Sequence, residues 1–466
     1  MVPYFPQKIA HRAILVYLIS LSVVSVFYVG YMMRWGFILL GILWVAGFFL
    51  LTNRWTETWR AIPDKVFVRR IFWVAVALRL VWVVASYYYY IEATGQPFEF
   101  GAADSASYHD EAAWLAESNW SFIWDYYFGS FGVSDIGYSL WLTVIYKIFG
   151  AAVMVPRIFK ALISAYTCVL LYKLSQRTFG EDTGRMVGIM SALMMNLIVY
   201  CGYHLKETEM LFLEVAFLER ADYMFRREKA NLWSILVPSL LALSMFFFRT
   251  VLGTVAVFSF ATAVLLMNTP SMKRGWRRLA LIGWGLLCLL VLSGGTIMTE
   301  VEGYWERKEE NLERKRYQQT VRGNQWAQYA TGAVMAPMVF VLPFSTMVDV
   351  AGQYGQQEKH GGNYIRNFMG FFAILGLYEA FRRKKWRDFA LIGSFVVAYL
   401  GIVSVSGYGN AERFLLPGLP GLIMIWAYGI STLRKNTFKL LVPWGLVVVV
   451  MEFAWAYFKL GSRGLF

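Results

Sequence analysis

Residues 35–52 read WGFILLGILWVAGFFLLT, a run with no charged side chain. As a helix rising about 1.5 Å per residue it would span roughly 27 Å, close to the hydrocarbon thickness of a bilayer. The stretch that follows, NRWTETWRAIPDKVFVRR at 53–70, collects Arg54, Arg60, Lys65, Arg69 and Arg70 before the next apolar run begins. An apolar crossing closed by a basic connection marks a cytoplasmic membrane boundary. The chain repeats that pattern. Candidate crossings fall at 13–31, 35–52, 72–91, 157–174, 186–203, 208–223, 232–248, 250–267, 279–298, 366–381, 388–405, 414–432 and 440–458. With a cytoplasmic N-terminus, the basic residues at 8–12, 54–70, 173–185, 220–229, 273–278, 382–387 and 434–439 all fall on one side. The expectation is an all-α integral membrane protein: a polytopic bundle of about thirteen transmembrane helices, with interfacial helices in two long outer loops.

Composition narrows the function. Hydrophobic residues make up 58% of the 466 and charged residues 16%, against about a quarter charged in soluble proteins, which excludes a soluble cytoplasmic enzyme. The net charge of +14 sits in the connections, so it is topogenic and implies no nucleic-acid partner. Cys168, Cys201 and Cys288 all lie in apolar runs, which argues against a disulfide framework or a zinc site. The first run lacks a small-residue cleavage site and is followed closely by a second, so it reads as a retained helix. There is no Gly-rich phosphate loop, Walker motif, HExxH or internal repeat, and ATP-driven chemistry has no support.

The whole chain, 1–466, reads as one polytopic domain, with a helix hairpin at 13–52 and a last transmembrane helix at 440–458. Two outer segments are long, 92–156 and 299–365, so outward-facing chemistry must come from them and from the span ends beside them. The first is rich in aromatics, with Trp114, Trp120, Trp124 and Tyr126, a composition suited to the headgroup level. Within it, Ile136–Phe149 is short for a crossing and carries Lys147, which fits an interfacial helix. The second opens on a mixed-charge run at 300–316, read as a solvated helix face, and turns apolar from Ala333 to Val348 around Pro337 and Pro343.

Residues 101–117, GAADSASYHDEAAWLAE, hold Asp104, Tyr108, His109, Asp110 and Glu111 just after a span. At 100° per residue a helix puts Asp104, Tyr108 and Glu111 on one face and Asp110 elsewhere. Asp104 also stands where an N-cap belongs, so capping and catalysis are both open readings. Further polar groups belong to the same membrane side. YCGYHLKETEM at 200–210 supplies His204, Lys206, Glu207 and Glu209; FFFRTVLG at 246–253 supplies Arg249; GYGNAERFLLPGLPG at 407–421 supplies Glu412 and Arg413. Cations at outer span ends break the positive-inside bias, and Arg suits phosphate oxygens at headgroup level. The plainer reading is pairing with Glu207 or Glu412, or binding of ordinary headgroups.

In order, ADSxxYHxxAxxLA, GYSLWLTVIYKIFG followed by VPRIF, YHLKETEMLF, FFFRT and ERFLLPGLPGLI resemble the GT-C superfamily of integral membrane glycosyltransferases. Within it the likeness is to bacterial enzymes related to protein mannosyltransferases and lipid A aminoarabinose transferases, over residues 70–432. The resemblance implies a catalytic acid in the first outer loop, Asp104, with the adjacent pair Asp110 and Glu111 as the alternative, because many relatives carry Asp-Glu there. It implies a second acidic site residue, Glu207, and an arginine before a Pro-rich span, Arg413. The donor it implies is a polyprenyl-phosphate sugar such as an undecaprenyl-phosphate sugar, transferred to a hydroxyl of a glycan, lipid or protein.

A lipid-phosphate leaving group departs as an anion and wants positive charge, a role for Arg413, Arg249 and Lys206. The acceptor hydroxyl wants a base, for which Asp104 gives a single inverting displacement; Tyr108, His109 and His204 would line the substrate. No cofactor is required by this scheme. Mg²⁺ or Mn²⁺ shared by Asp104 and Glu207 is the alternative, and a zinc site on His109 and His204 is the weaker one. The expected location is the bacterial inner (plasma) membrane, in the lipid bilayer, with the active site outside. Rival readings are an oligosaccharide ligase or polymerase using a polyprenyl-pyrophosphate donor, a lipid-linked saccharide transporter or flippase, and a membrane scaffold.

Overall fold

The computed structural model describes residues 2–129, 135–227, 231–267, 338–405 and 411–461, with 463 and 465. The expected crossing at 279–298, the charged run at 300–316, the basic group at 273–278 and Cys288 lie outside the described residues. All regular elements within them are helices, apart from one isolated bridge between Met32 and Val348. In chain order they are α1 (Gln7–Phe27), α2 (Trp35–Thr58), α3 (Asp64–Thr94), α4 (Ala103–Glu117), α5 (Trp120–Gly129), α6 (Ile136–Phe149), α7 (Met154–Phe179), α8 (Glu181–Leu193), α9 (Met195–Gly202), α10 (Glu207–Arg226), α11 (Leu232–Phe248) and α12 (Thr250–Leu266). After residues 268–337 come α13 (Tyr354–Glu358), α14 (His360–Arg382), α15 (Ala390–Val405), α16 (Glu412–Leu415), α17 (Leu419–Ser431), α18 (Lys435–Lys439) and α19 (Leu441–Gly461).

Every candidate crossing outside 279–298 coincides with a helix. Among the described residues six helical segments are long and apolar enough to cross a bilayer, and α8 with α9 makes a seventh, bent by 40°. That bend has a local cause. Arg79 of α3, fully buried, donates to the carbonyls of Ser191 and Ala192 at 3.3 and 3.2 Å and to the Ser164 hydroxyl at 2.7 Å. It thereby satisfies acceptors that a helix break would otherwise leave orphaned in an apolar setting.

Helices α10 and α14 are long but do not reach the apolar composition of the others. Both are buried along most of their length. Surrounded by protein and not by lipid, they can carry Glu207, Glu209 and Glu214, or Asn363, Arg366 and Asn367, without exposing them to hydrocarbon. Around them pack α7, α11, α2 and α17, while the N-terminal α1 lies against the C-terminal α19. Helices α14 and α17 meet at glycines: a Cβ on Gly376 would stand 2.6 Å from the Ile425 carbonyl, and one on Gly429 2.2 Å from that of Phe372. Small residues let two membrane helices approach backbone to backbone.

Side-chain pairs sort the connections into two ends. At one, Arg60 meets Asp182, Arg185 meets Asp64, Arg177 meets Glu219 and Asp222, and Arg226 reaches the Asp388 carbonyl. At the other, Arg34 meets Tyr354 and Arg413 meets both Asp104 and Glu207. The second end is where the polar groups singled out above converge.

Candidate active site

Gly95 closes α3 in the left-handed region, at φ 75°, and the chain turns back through a second such glycine, Gly101, into α4. Capping by Asp104 is not what the structure shows. The N-cap of α4 is Ala102, no side chain caps the helix, and Asp104 lies in its first turn with a side chain 61% exposed. Its carboxylate is spent on the Arg413 guanidinium instead. The capping expectation failed because the helix starts at Ala103, two residues earlier than an N-cap at Asp104 requires, which moves Asp104 off the helix end and into the first turn.

Arg413 stands on the short α16, which runs into Pro417 and Pro420. Those prolines lack N–H groups, so the regular helix α17 begins only at Leu419 and the segment before it bends across the bundle. One face of the guanidinium meets Asp104 and its Nε meets Glu207. Glu207 opens α10, where an acid complements the helix dipole. Arg249 interrupts α11 and α12 in extended conformation and comes to 3.8 Å from the same Glu207 oxygen. It also donates to the Tyr399 hydroxyl at 3.2 Å and stacks over Phe414 at 4.8 Å. Glu207 is 1% exposed. Read from sequence as a second catalytic acid, it faces the guanidinium groups of Arg413 and Arg249.

Lys206 donates to the Phe248 carbonyl at 3.0 Å and pairs with Asp135. Burial, then the charge of Arg249, pushes its ammonium down to about 7. Tyr108 lies against Tyr138, ring centroids 5.0 Å apart, and burial raises its hydroxyl to about 12, with the Arg413 charge opposing.

Beside these groups opens a cavity of ≈ 220 Å³ whose walls include Asp104, Arg413, Glu99, Tyr203 and Lys359. Lys359 was missed by the sequence reading. It meets Glu412 at 2.7 Å, and Asn196 donates to the same carboxylate at 2.6 Å. Burial opposes its charge, but the Glu412 carboxylate more than offsets this and holds the ammonium above its ordinary range. The signal that marked Arg249 and Arg413, a cation at an outer span end, applies equally to Lys359 in QQEKHGG at 356–362.

The two histidines are joined through a tyrosine. His109 Nδ1 and His204 Nε2 lie 2.8 and 2.9 Å from the Tyr146 hydroxyl. Burial lowers both imidazoles, His204 more strongly, and so disfavours their charged forms. Glu111 turns toward Ser139 and Tyr126 and is raised by burial, while Asp110 is exposed. Neither alternative acid reaches Arg413 as Asp104 does. Lys147 of α6 donates to the Ala116 carbonyl at 3.1 Å and to that of Ser118, closing the C-terminal end of α4. Among the described residues no group of three or more His, Cys, Asp or Glu is placed to hold a metal ion. The Asp104 and Glu207 carboxylates are bridged by Arg413, and each histidine directs a ring nitrogen to Tyr146.

No family profile and no curated protein matches the sequence. Among solved structures there is a likeness to the Archaeoglobus fulgidus oligosaccharyltransferase, crystallised with zinc and sulfate, at 12% identity and a TM-score of 0.45. It covers 85% of this chain and 53% of that one, so this chain spans about half the length of that protein.

Proposed function

We propose that this protein is a membrane glycosyltransferase of the GT-C type, moving a sugar from a polyprenyl-phosphate donor to a hydroxyl acceptor at the outer membrane face. The observation that carries the reading is the meeting of Asp104, Glu207 and Arg413, the outer two 309 residues apart in sequence, at the lip of a polar cavity between membrane helices. In the reaction the acceptor oxygen attacks the anomeric carbon and the bond from that carbon to the phosphate oxygen breaks. The hydroxyl proton passes to the exposed Asp104 carboxylate, and the phosphate leaves as an anion beside Arg413. Configuration inverts in this single displacement. Glu207 positions Arg413 and Arg249, and Lys206 adds positive charge at the edge. These steps require no cofactor; Mg²⁺ or Mn²⁺ held between Asp104 and Glu207 is the alternative.

The test is Asp104→Asn in membranes given undecaprenyl-phosphate sugar and acceptor. Loss of a general base costs about 10²- to 10⁴-fold in rate, and donor binding and thermal stability should stay near the wild-type values. Full turnover by this variant refutes the mechanism. Lys359, a second cation lining the cavity, supports one further reading, a pyrophosphate-linked donor. Release of polyprenyl pyrophosphate in place of the monophosphate would identify it.

A further inference from the structure

Two residues read from sequence as substrate-lining turn toward each other. The rings of His109 and His204 stand 5.8 Å apart, with Phe98 against them at 5.5 and 5.8 Å. Between them the Tyr146 hydroxyl lies 2.8 Å from His109 Nδ1 and 2.9 Å from His204 Nε2. His204 and Tyr146 are buried, and among the described residues His204 Nδ1 meets no hydrogen-bond partner, so the link to Tyr146 is what ties this imidazole down. A hydroxyl carries one hydrogen. It donates to one uncharged ring and accepts from the other, which fixes a single tautomer on each.

The three residues belong to three separate segments. His109 is on α4, five residues after Asp104 and about 140° around the helix from it. His204 lies in the turn before α10, just ahead of Lys206 and Glu207. Tyr146 is on α6, where it joins Tyr138, Leu142 and Ile145 in an apolar cluster with Ala112 of α4. The turn is fixed separately, because the buried Lys160 of α7 donates to the carbonyls of Tyr203 and Leu205 on either side of His204. Apolar packing alone lets a helix such as α4 roll on its buried face. A hydrogen-bonded chain in a dry setting opposes the roll, since opening it leaves buried polar atoms unpaired.

Resting on the glycosyltransferase reading, we infer that Tyr146 is a positioning residue: through His109 and His204 it locks the rotation of α4 to the turn that carries Lys206 and Glu207, and so holds Asp104 at its working distance from the site cations. Helix side chains reach roughly 5 Å from the axis, so a roll of about 20° carries the Asp104 carboxylate on the order of 2 Å. A displacement of about 1 Å can cost about 10²-fold in rate. Asp104 needs this support more than Glu207 does, because its side chain is 61% exposed while that of Glu207 is 1% exposed.

The test uses the full-length protein in membranes, with whichever of undecaprenyl-phosphate mannose, glucose or aminoarabinose the wild type turns over, and reads the release of undecaprenyl phosphate. Tyr146→Phe keeps the ring in its cluster and removes the hydroxyl alone. It should lower kcat about 10- to 100-fold, with the Kd for undecaprenyl phosphate unchanged. The melting temperature should hardly move, since one hydrogen bond is a small share of the stability of 466 residues. His204→Leu should act alike, and His204→Gln, whose amide nitrogen can take the place of Nε2, should recover most of the rate. Losses routed through one link do not add, so the double variant Tyr146→Phe with His204→Leu should be no slower than the slower single one. A wild-type kcat in Tyr146→Phe overturns the link, as do losses that multiply in the double variant or a melting temperature that falls in step with the rate. In each of those cases an inactive Asp104→Asn in the same assay leaves the glycosyltransferase reading intact. A wild-type protein that neither binds undecaprenyl phosphate nor releases it from any of the three donors sinks that reading and the link together.

Discussion

Asp104 and Glu207 share one arginine yet sit in opposite surroundings, and the difference predicts how their variants behave. The Asp104 side chain is 61% exposed and that of Glu207 1%. An exposed pair contributes no more than about 1 kcal/mol, because water and ions screen it and two side chains must be ordered to make it. Removing one member of a buried pair costs about 3–5 kcal/mol, because the partner charge is left uncompensated. Glu207→Gln should therefore lower stability by about 3 kcal/mol, near the lower end of that range, since Arg249 and Arg413 keep some contact with solvent. Asp104→Asn should barely move the melting temperature. Measuring both in detergent by thermal unfolding checks the contrast; equal losses would mean that Asp104 is chiefly structural. The pairing of Arg249 and Arg413 with Glu207 was one of the plain readings of the sequence, and it coexists with the functional one: the pair holds the guanidinium groups at the cavity.

Among the elements, the contact of α14 with α17 decides where two of the site cations stand, because Lys359 directly precedes α14 and Arg413 directly precedes the bend into α17. At Gly429 an added Cβ would meet the Phe372 carbonyl, backbone that cannot rotate away. Gly429→Ala should cost about 1–3 kcal/mol or more by forcing the helices apart. Gly47→Ala, where a Cβ meets nothing within 4 Å, should cost none, and thermal unfolding of the two variants tests the difference. The short α13 carries a pH response. Burial raises the Glu358 carboxyl from 4.5 to about 7, with the Tyr90 and Tyr203 hydrogen bonds partly opposing. A carboxyl whose folded value is raised favours folding fully below its unfolded value, and that contribution is lost as pH climbs through the folded one. The melting temperature should accordingly fall as pH rises from 4.5 to about 7, and Glu358→Gln should flatten that slope. An identical slope in the variant would assign it to another group.

At the scale of the molecule, contacts divide the connections between two ends, and the basic groups of the sequence gather at one of them. From the positive-inside bias we propose that this end is cytoplasmic and that the cavity opens outside. Single cysteines introduced at two exposed positions, Asp110 and Lys385, report on this directly, with Cys288 replaced by serine and Cys168 and Cys201 left buried. Asp110→Cys should react with an impermeant maleimide on intact cells, and Lys385→Cys only after permeabilisation. Labelling of both from the same side would contradict the topology.

Apolar runs and the basic connections between them made the membrane class and the course of the spans legible, because the bilayer acts on each segment separately: a stretch is long and apolar enough to cross, or it is not. The same one-dimensional signal singled out Asp104, Glu207, Arg249 and Arg413. It could not assign their partners. Whether Asp104 caps α4 or meets Arg413 depends on a shift of two residues in the helix start, and whether Glu207 faces substrate or cations depends on where α11, α12 and α16 end in space. Lys359 carried the same span-end signal as Arg249 and Arg413, whereas Glu358 escaped notice because it meets Tyr90 of α3 and Tyr203 only in the folded chain, contacts between distant segments that no local pattern encodes.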